Sequence, residues 1–148
     1  MDAAIRAFFG SEAYAIVGVS RSGRKFGNTI FREMRKKHYC VFPVHALLDS
    51  LDGVRCVPNV TMVPDSVGSV IIAVRPDRVV LLLEECMARG IKNVWLQQGA
   101  ESDEAVDFAV MHGLNLVHGR CVLMFLEPVK SIHAFHRWVD RLRGAYPN

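Results

Sequence analysis

A chain of 148 residues is long enough to bury a core of its own, and 51% hydrophobic against 22% charged residues is the balance of a globular protein rather than a disordered one. No apolar run approaches the roughly 20 residues that cross a bilayer, and the N-terminal MDAAIRAFFGSE lacks the basic-then-apolar order of a signal peptide, so the chain reads as cytoplasmic. The net charge of +3 is too small to define a partner, but seven basic residues fall between Arg21 and Lys37 against one acid, Glu33.

In chain order, residues 2–10 place Ile5, Phe8 and Phe9 at helical spacing, a short leading helix. Tyr14 to Val19 is a nearly continuous apolar run, the pattern of a strand covered on both faces of a parallel sheet. Gly18, Ser20, Ser22 and Gly23 then form a small-residue turn, and Phe26, Ile30, Phe31 and Met34 begin a helix-spaced stripe. Cys40 to Val44 is a second apolar run, with Lys36, Lys37 and His38 favourably placed at the preceding helix end. The segment from His45 to Ser69 is irregular, with Val54 to Val57 as a short edge strand and Val60 to Val63 as a further turn of packing.

Ser69 to Val74 is the clearest buried strand, ended by Arg75-Pro76-Asp77. A helix follows with Val79, Val80, Leu83, Cys86 and Met87 on one face and Gly90 as its stop. Asn93 to Gln97 is the next strand. Ser102 caps a helix with Asp103 and Glu104 in its first turn, running through Val106, Ala109 and Val110 to Gly113. Leu114 to Val117 is the last strand, and the loop GRCVLMFLEP leads to a final helix at about 131–143, where Ile132, Phe135, Val139 and Leu142 form a narrow apolar stripe. That stripe either buries itself on the parent domain or pairs with a second copy in a homodimer.

Strands alternating with helices predict an α/β fold: a single doubly wound, mostly parallel sheet, Rossmann-like, forming one domain over residues 1–148. Four cysteines, Cys40, Cys56, Cys86 and Cys121, include no CxxC pair and read as buried free thiols. In such a sheet a ligand sits beyond the carboxyl ends of the strands. The loops there are Gly18 to Gly27, Pro43 to Ala46, Val74 to Asp77, Gln97 to Glu101 and His118 to Cys121.

The first of these is a strand, small-residue loop and helix, the layout that points backbone N–H groups at an anion. Arg21, Arg24 and Lys25 add mobile positive charge, so the predicted ligand carries phosphate. Gly18-Val-Ser20-Arg-Ser-Gly23 resembles the fingerprint GxGxxG with Ser in the middle glycine's place, where Ser20 would offer its hydroxyl and N–H to a phosphate. NAD-binding versions carry Asp or Glu at the tip of strand two. Here the tip is Phe42-Pro43-Val44-His45, an apolar edge suited to adenine, so an anionic adenine nucleotide fits better than NAD.

Other chemistries find less support. Gly18-Val-Ser20-Arg-Ser22 lacks the final glycine of a hydrolase elbow. His118, Cys121, His133 and His136 lack the spacing of a defined metal set, and Cys121 reads as core-filling. Gln97, Gln98 and Glu101 form no paired acid and base, so no catalytic residue is assigned. The basic face of Arg32, Arg35, Lys36 and Lys37 permits nucleic-acid binding but has few interleaved aromatics and reads as solvated.

Ala15-Ile-Val-Gly-Val-Ser20 with Lys25-Phe-Gly27, then Val41-Phe-Pro-Val44, Val70-Ile-Ile-Ala-Val74, Val94-Trp-Leu-Gln-Gln-Gly99 and Gly119-Arg-Cys121 together resemble the CoA-binding domain proteins, small stand-alone relatives of the CoA-binding N-terminal domain of the succinyl-CoA synthetase alpha subunit. The resemblance implies coenzyme A or an acyl-CoA as ligand. It implies that Gly18, Ser20, Arg21 and Lys25 meet the phosphates, with Asn28, which closes the same stretch, in the cofactor-binding set. Pro43, Val44 and His45 would border the adenine, and Val74, Arg75 and Pro76 the pantetheine or pyrophosphate side. The chain carries His45-Ala46 where relatives usually show Asn-Pro. Ligases of this superfamily move phosphate through a histidine in a second domain, so the resemblance implies binding without ligation. The alternative is an NAD(P)- or CoA-thioester-dependent enzyme acting with a partner subunit.

Overall fold

The computed structural model describes residues 2–127. A leading helix, α1 (Asp2–Phe8), precedes β1 (Ala13–Val17), α2 (Phe26–Lys36) and β2 (Val41–Val44). A small hairpin, β3 (Ser50–Leu51) and β4 (Val54–Arg55), and a 3-10 turn at Val60–Met62 lead into β5 (Val67–Ile72). Then come a 3-10 turn at Pro76–Arg78, α3 (Val79–Ala88), β6 (Asn93–Leu96), α4 (Asp103–Met111), β7 (Asn115–Val117) and a 3-10 turn at Val122–Phe125. The five longer strands pair in parallel in the order β2-β1-β5-β6-β7, an α/β sheet of the Rossmann-like type.

Period-two alternation sends each strand's side chains to two different cores, which is why the strands look apolar throughout. Tyr14, Ile16, Ile71, Trp95 and Val117 pack with Ile5, Phe8 and Phe9 of the N-terminal segment and with Ile30, Phe31 and Met34 of α2. Ala13, Ala15, Val17, Val70, Ile72, Val94 and Leu96 pack on the opposite side with α3 and α4. The first core is aromatic at its centre, where Phe8 lies 5.2 Å from Trp95 and Tyr14 lies 5.5 Å from Tyr39, ring centre to ring centre.

Several boundaries differ from the sequence expectation. β1 ends at Val17 and β5 at Ile72, each two residues early. The bond from Ala73 N–H to Val17 O is the last between them before the chains diverge into the site. The edge strand expected at Val54–Val57 is only Val54–Arg55, folded onto Ser50–Leu51 by a turn at Asp52 and Gly53, both at positive φ. Val57 instead bridges to Val44 beside the sheet.

On α3, Val79, Leu83 and Cys86 of the expected face are buried, but Leu82 is buried with them and Met87 is exposed. On α4, the buried residues are Ala105 and Ala109, with Phe108 packed beside them, while Val110 is 76% exposed. Cys56 and Cys86 are buried, but Cys40 is exposed and Cys121 only half-buried. Among the described residues no helix is long and apolar enough to cross a membrane. The expected helix at 131–143, with its stripe and its dimer reading, lies outside the described residues, as do His133 and His136.

Candidate functional site

β1 runs into Gly18 at φ +121°, a conformation L side chains rarely adopt, and a Cβ there would stand 2.2 Å from the Ala73 carbonyl oxygen. A Cβ on Gly27, in the first turn of α2, would stand 2.3 Å from the Gly18 carbonyl oxygen. The helix therefore begins in direct contact with the end of β1. Gly23, the last glycine of the sequence fingerprint, has only the Arg32 side chain near it. Close helix–strand packing, the third glycine's role in that fingerprint, falls to Gly27.

The loop between these glycines is held from inside. Asn28 is fully buried, its Oδ1 accepting the Ser20 N–H at 2.9 Å and its Nδ2 donating to the Ser20 carbonyl at 3.0 Å. The expectation that Ser20 offers its N–H to a phosphate is corrected: Asn28 engages that group. The Ser20 hydroxyl lies 3.0 Å from Ser22 Oγ and 3.3 Å from Asn28 Oδ1. Arg32 supports the loop from outside, donating from Nη1 to the Gly23 carbonyl at 3.1 Å and from Nε to Asp52 at 3.2 Å. It thereby links the loop to the β3–β4 hairpin.

Arg21, Arg24 and Lys25 are exposed. Lys25 is the N-cap of α2, extended, with no side-chain cap and no acid in the first turn. The helix thus presents its opening N–H groups beside a cation and without a competing carboxylate, the electrostatic setting that favours an anion.

Strand order reverses at β1, since the chain leaves β1 for β2 on one side and later returns as β5 on the other. Beyond the carboxyl ends of β1, β5 and β6 lies a cleft of about 530 Å³. Lys25 and Phe26 line one wall, Ala73 to Pro76 another, and Gln97 to Ala100 with Cys121 the third. Four residues singled out in the sequence, Lys25, Val74, Arg75 and Pro76, therefore meet in one place. Arg75 is an exposed side chain paired with Asp77 at 3.1 Å.

Pro43, Val44 and His45 do not line this cleft; they stand at the tip of β2, across β1 from it. Pro43 and Val44 are buried. The His45 ring accepts the Leu47 and Leu48 N–H groups on Nδ1 at 3.0 and 3.1 Å, which places its proton on Nε2. The β2 tip is tied down by Val57, which donates to the Pro43 carbonyl and accepts from the His45 N–H, both at 2.9 Å.

The sequence reading missed Gly27 as the contact glycine and treated Cys121 as core, whereas its side chain belongs to the cleft wall. The wall after β6 is fastened to the 118–122 loop: Trp95 Nε1 donates to the Arg120 carbonyl at 3.0 Å, and Gln97 Oε1 accepts the Val122 N–H at 3.0 Å. Among the described residues no three His, Cys, Asp or Glu side chains are grouped to hold a metal ion.

Comparison with known proteins points the same way. One protein-family model, described as a CoA binding domain, matches residues 12–127. An ADP-forming acetate–CoA ligase I of Archaeoglobus fulgidus is 27% identical over 139 residues, which cover 87% of this chain and 20% of the ligase. The chain thus spans about a fifth of that relative's length. Among solved structures, a conserved hypothetical protein of Pyrococcus furiosus matches with a TM-score of 0.73 and 31% identity, covering 76% of this chain and 97% of its own. The apo form of dinucleotide-forming acetyl-coenzyme A synthetase 1 of Ca. Korarchaeum cryptofilum matches with a TM-score of 0.66 and 27% identity, covering 76% of this chain and 27% of the synthetase.

Proposed function

The chain belongs to the CoA binding domain family, and on that premise we propose that it binds coenzyme A or an acyl-CoA as a cytoplasmic module with a regulatory or carrier role rather than a catalytic one. The observation that carries this reading is the start of α2: uncapped, free of acids, headed by Lys25, and opening onto the cleft at the point where strand order reverses. In this reading Gly18 lets the backbone turn close to the phosphates, Ser20 presents its hydroxyl, and Arg21 and Lys25 supply charge. Asn28 acts by holding Ser20 in place. Val74, Arg75 and Pro76 take the pyrophosphate or pantetheine side, and Pro43, Val44 and His45 border the adenine. A ligand reaching both the β2 tip and the cleft passes over the end of β1 at Gly18.

Isothermal titration with CoA, dephospho-CoA, NAD and ADP tests this directly. CoA is expected to bind most tightly, and NAD binding more tightly than CoA overturns the reading.

A second reading is favoured by the names of the curated relatives, which are ligases several times longer than this chain. It makes the chain the CoA-binding part of a thioester enzyme completed by a partner subunit. Turnover that emerges only on adding such a subunit supports it, and a chain that stays inert with every candidate partner removes it.

A further inference from the structure

Gln97 is only 4% exposed, yet it lines the cleft. Its backbone is fixed as the continuation of β6, with Gln97 N–H donating to the Ile72 carbonyl and the Gln97 carbonyl accepting from Ala100, both at 2.9 Å. The side chain is fixed as well. Val122 N–H donates to Oε1 at 3.0 Å, and only the oxygen of a carboxamide can receive that bond, so oxygen and nitrogen cannot be exchanged. The amide nitrogen is therefore turned away from Val122 and carries two N–H donors with no acceptor among the described residues.

Arg6 Nε, not Gln97 Nε2, is the buried side-chain polar atom without a partner among the described residues, so the Gln97 amide nitrogen opens onto the cleft, where a bound group can replace water as its acceptor. Its neighbour Gln98 is different: it is exposed, and its amide nitrogen reaches the Gly119 carbonyl. The two cations that line the cleft, Lys25 and Arg75, belong to the other two walls, and the wall of Gln97 to Ala100 with Cys121 carries no charged lining residue, which suits a neutral acceptor.

We propose that Gln97 Nε2 is the donor that positions a carbonyl oxygen on the uncharged arm of the bound ligand, either a pantetheine amide or an acyl thioester. This rests on the CoA reading and extends it by assigning a specificity-determining residue to the end of the ligand away from the phosphates. The bond involves no group transfer. A carbonyl supplies a lone pair to Nε2–H, while Oε1 stays on Val122.

The test uses the whole chain, wild type and Gln97→Glu, titrated with CoA, acetyl-CoA and adenosine 3′,5′-bisphosphate, which retains the nucleotide end and has no carbonyl arm. Gln97→Glu preserves an acceptor for Val122 and replaces the donor by an oxygen. The expected result is about a tenfold or greater loss of affinity for the carbonyl-bearing ligands, with the bisphosphate unchanged. Equal loss for CoA and acetyl-CoA assigns the pantetheine amide, and loss confined to acetyl-CoA assigns the thioester. Wild-type binding of CoA with no loss in the variant, or equal loss for all three ligands, overturns the role of Gln97 while leaving the CoA reading intact. Absence of CoA binding by the wild type overturns both. Should the variant not fold, the Gln97 side-chain amide resonance of the unmodified protein decides: a shift on adding CoA or acetyl-CoA, but not the bisphosphate, supports the proposal, and a resonance indifferent to all three refutes it.

Discussion

Asn28 holds Ser20 from both sides, accepting its N–H at 2.9 Å and donating to its carbonyl at 3.0 Å from a position with no exposed surface. Eight residues separate them in the chain, and the bonds close the loop across the start of α2. Replacing Asn28 with Ala leaves the Ser20 N–H and carbonyl without these partners, so a stability loss of about 1–3 kcal/mol is expected. Urea unfolding measures it. A variant as stable as wild type shows that the loop finds its bonds elsewhere.

Gly27→Ala places a methyl where the Gly18 carbonyl oxygen stands at 2.3 Å, and neither group is a flexible side chain. Overpacking of this kind costs about 1–3 kcal/mol. Because the contact sets the approach of α2 to β1, ligand affinity is expected to fall together with stability. Gly23→Ala is the comparison: its strain is confined to a positive φ, and its nearest neighbour is the movable end of Arg32. Paired melting curves and titrations of the two variants separate contact from conformation.

For the phosphate contacts, Lys25→Ala or Arg21→Ala is expected to weaken CoA binding by about 1.5–3 kcal/mol if each makes a charge-assisted hydrogen bond. Both side chains are exposed, so stability is expected to stay close to wild type. Titration at low and high salt checks the electrostatic part. Unchanged affinity in both variants moves the phosphates to another loop.

Burial lifts the Cys86 thiol from an ordinary value near 9 up to about 12, with Glu85 adding to the rise, and burial likewise lifts the Tyr39 phenol to about 12. Between the ordinary and the raised values the unfolded chain has lost protons that the folded chain keeps, so unfolding becomes easier as pH increases. Stability is expected to be insensitive to these groups below about pH 8 and to decline from about pH 9 toward 12. Cys86→Ala is expected to flatten that decline, whatever it does to stability at neutral pH. Unfolding free energies measured across pH 7–11 give the slopes, and identical slopes in the two proteins exclude Cys86 as a source.

Local pattern was enough to read the sheet strands and their helices. Runs such as Tyr14 to Val19 and Ser69 to Val74 are apolar on both faces because both faces are covered, and Gly90, Gly113 and Ser102 mark helix ends by chemistry that needs no distant partner. The loops that carry Lys25, Val74, Arg75 and Pro76 could be named for the same reason: in a parallel sheet they must emerge at one end.

What periodicity could not supply is which of two adjacent apolar residues a neighbour covers. Ala109 is buried in the second core while its neighbour Val110 points outward, and on α3 Leu82 is buried while Met87 is exposed.

By itself, then, the sequence determined the alternation of elements, the end of the sheet where the cleft opens and the positive charge on the first loop, all consequences of hydrophobic period and local turn chemistry. Only the tertiary structure decided that Gly27 touches Gly18, that Asn28 engages Ser20 and that Val122 orients Gln97. Hydrogen bonds and hard contacts act through space over a few ångströms, and the chain brings these partners together only once both sheet faces are packed.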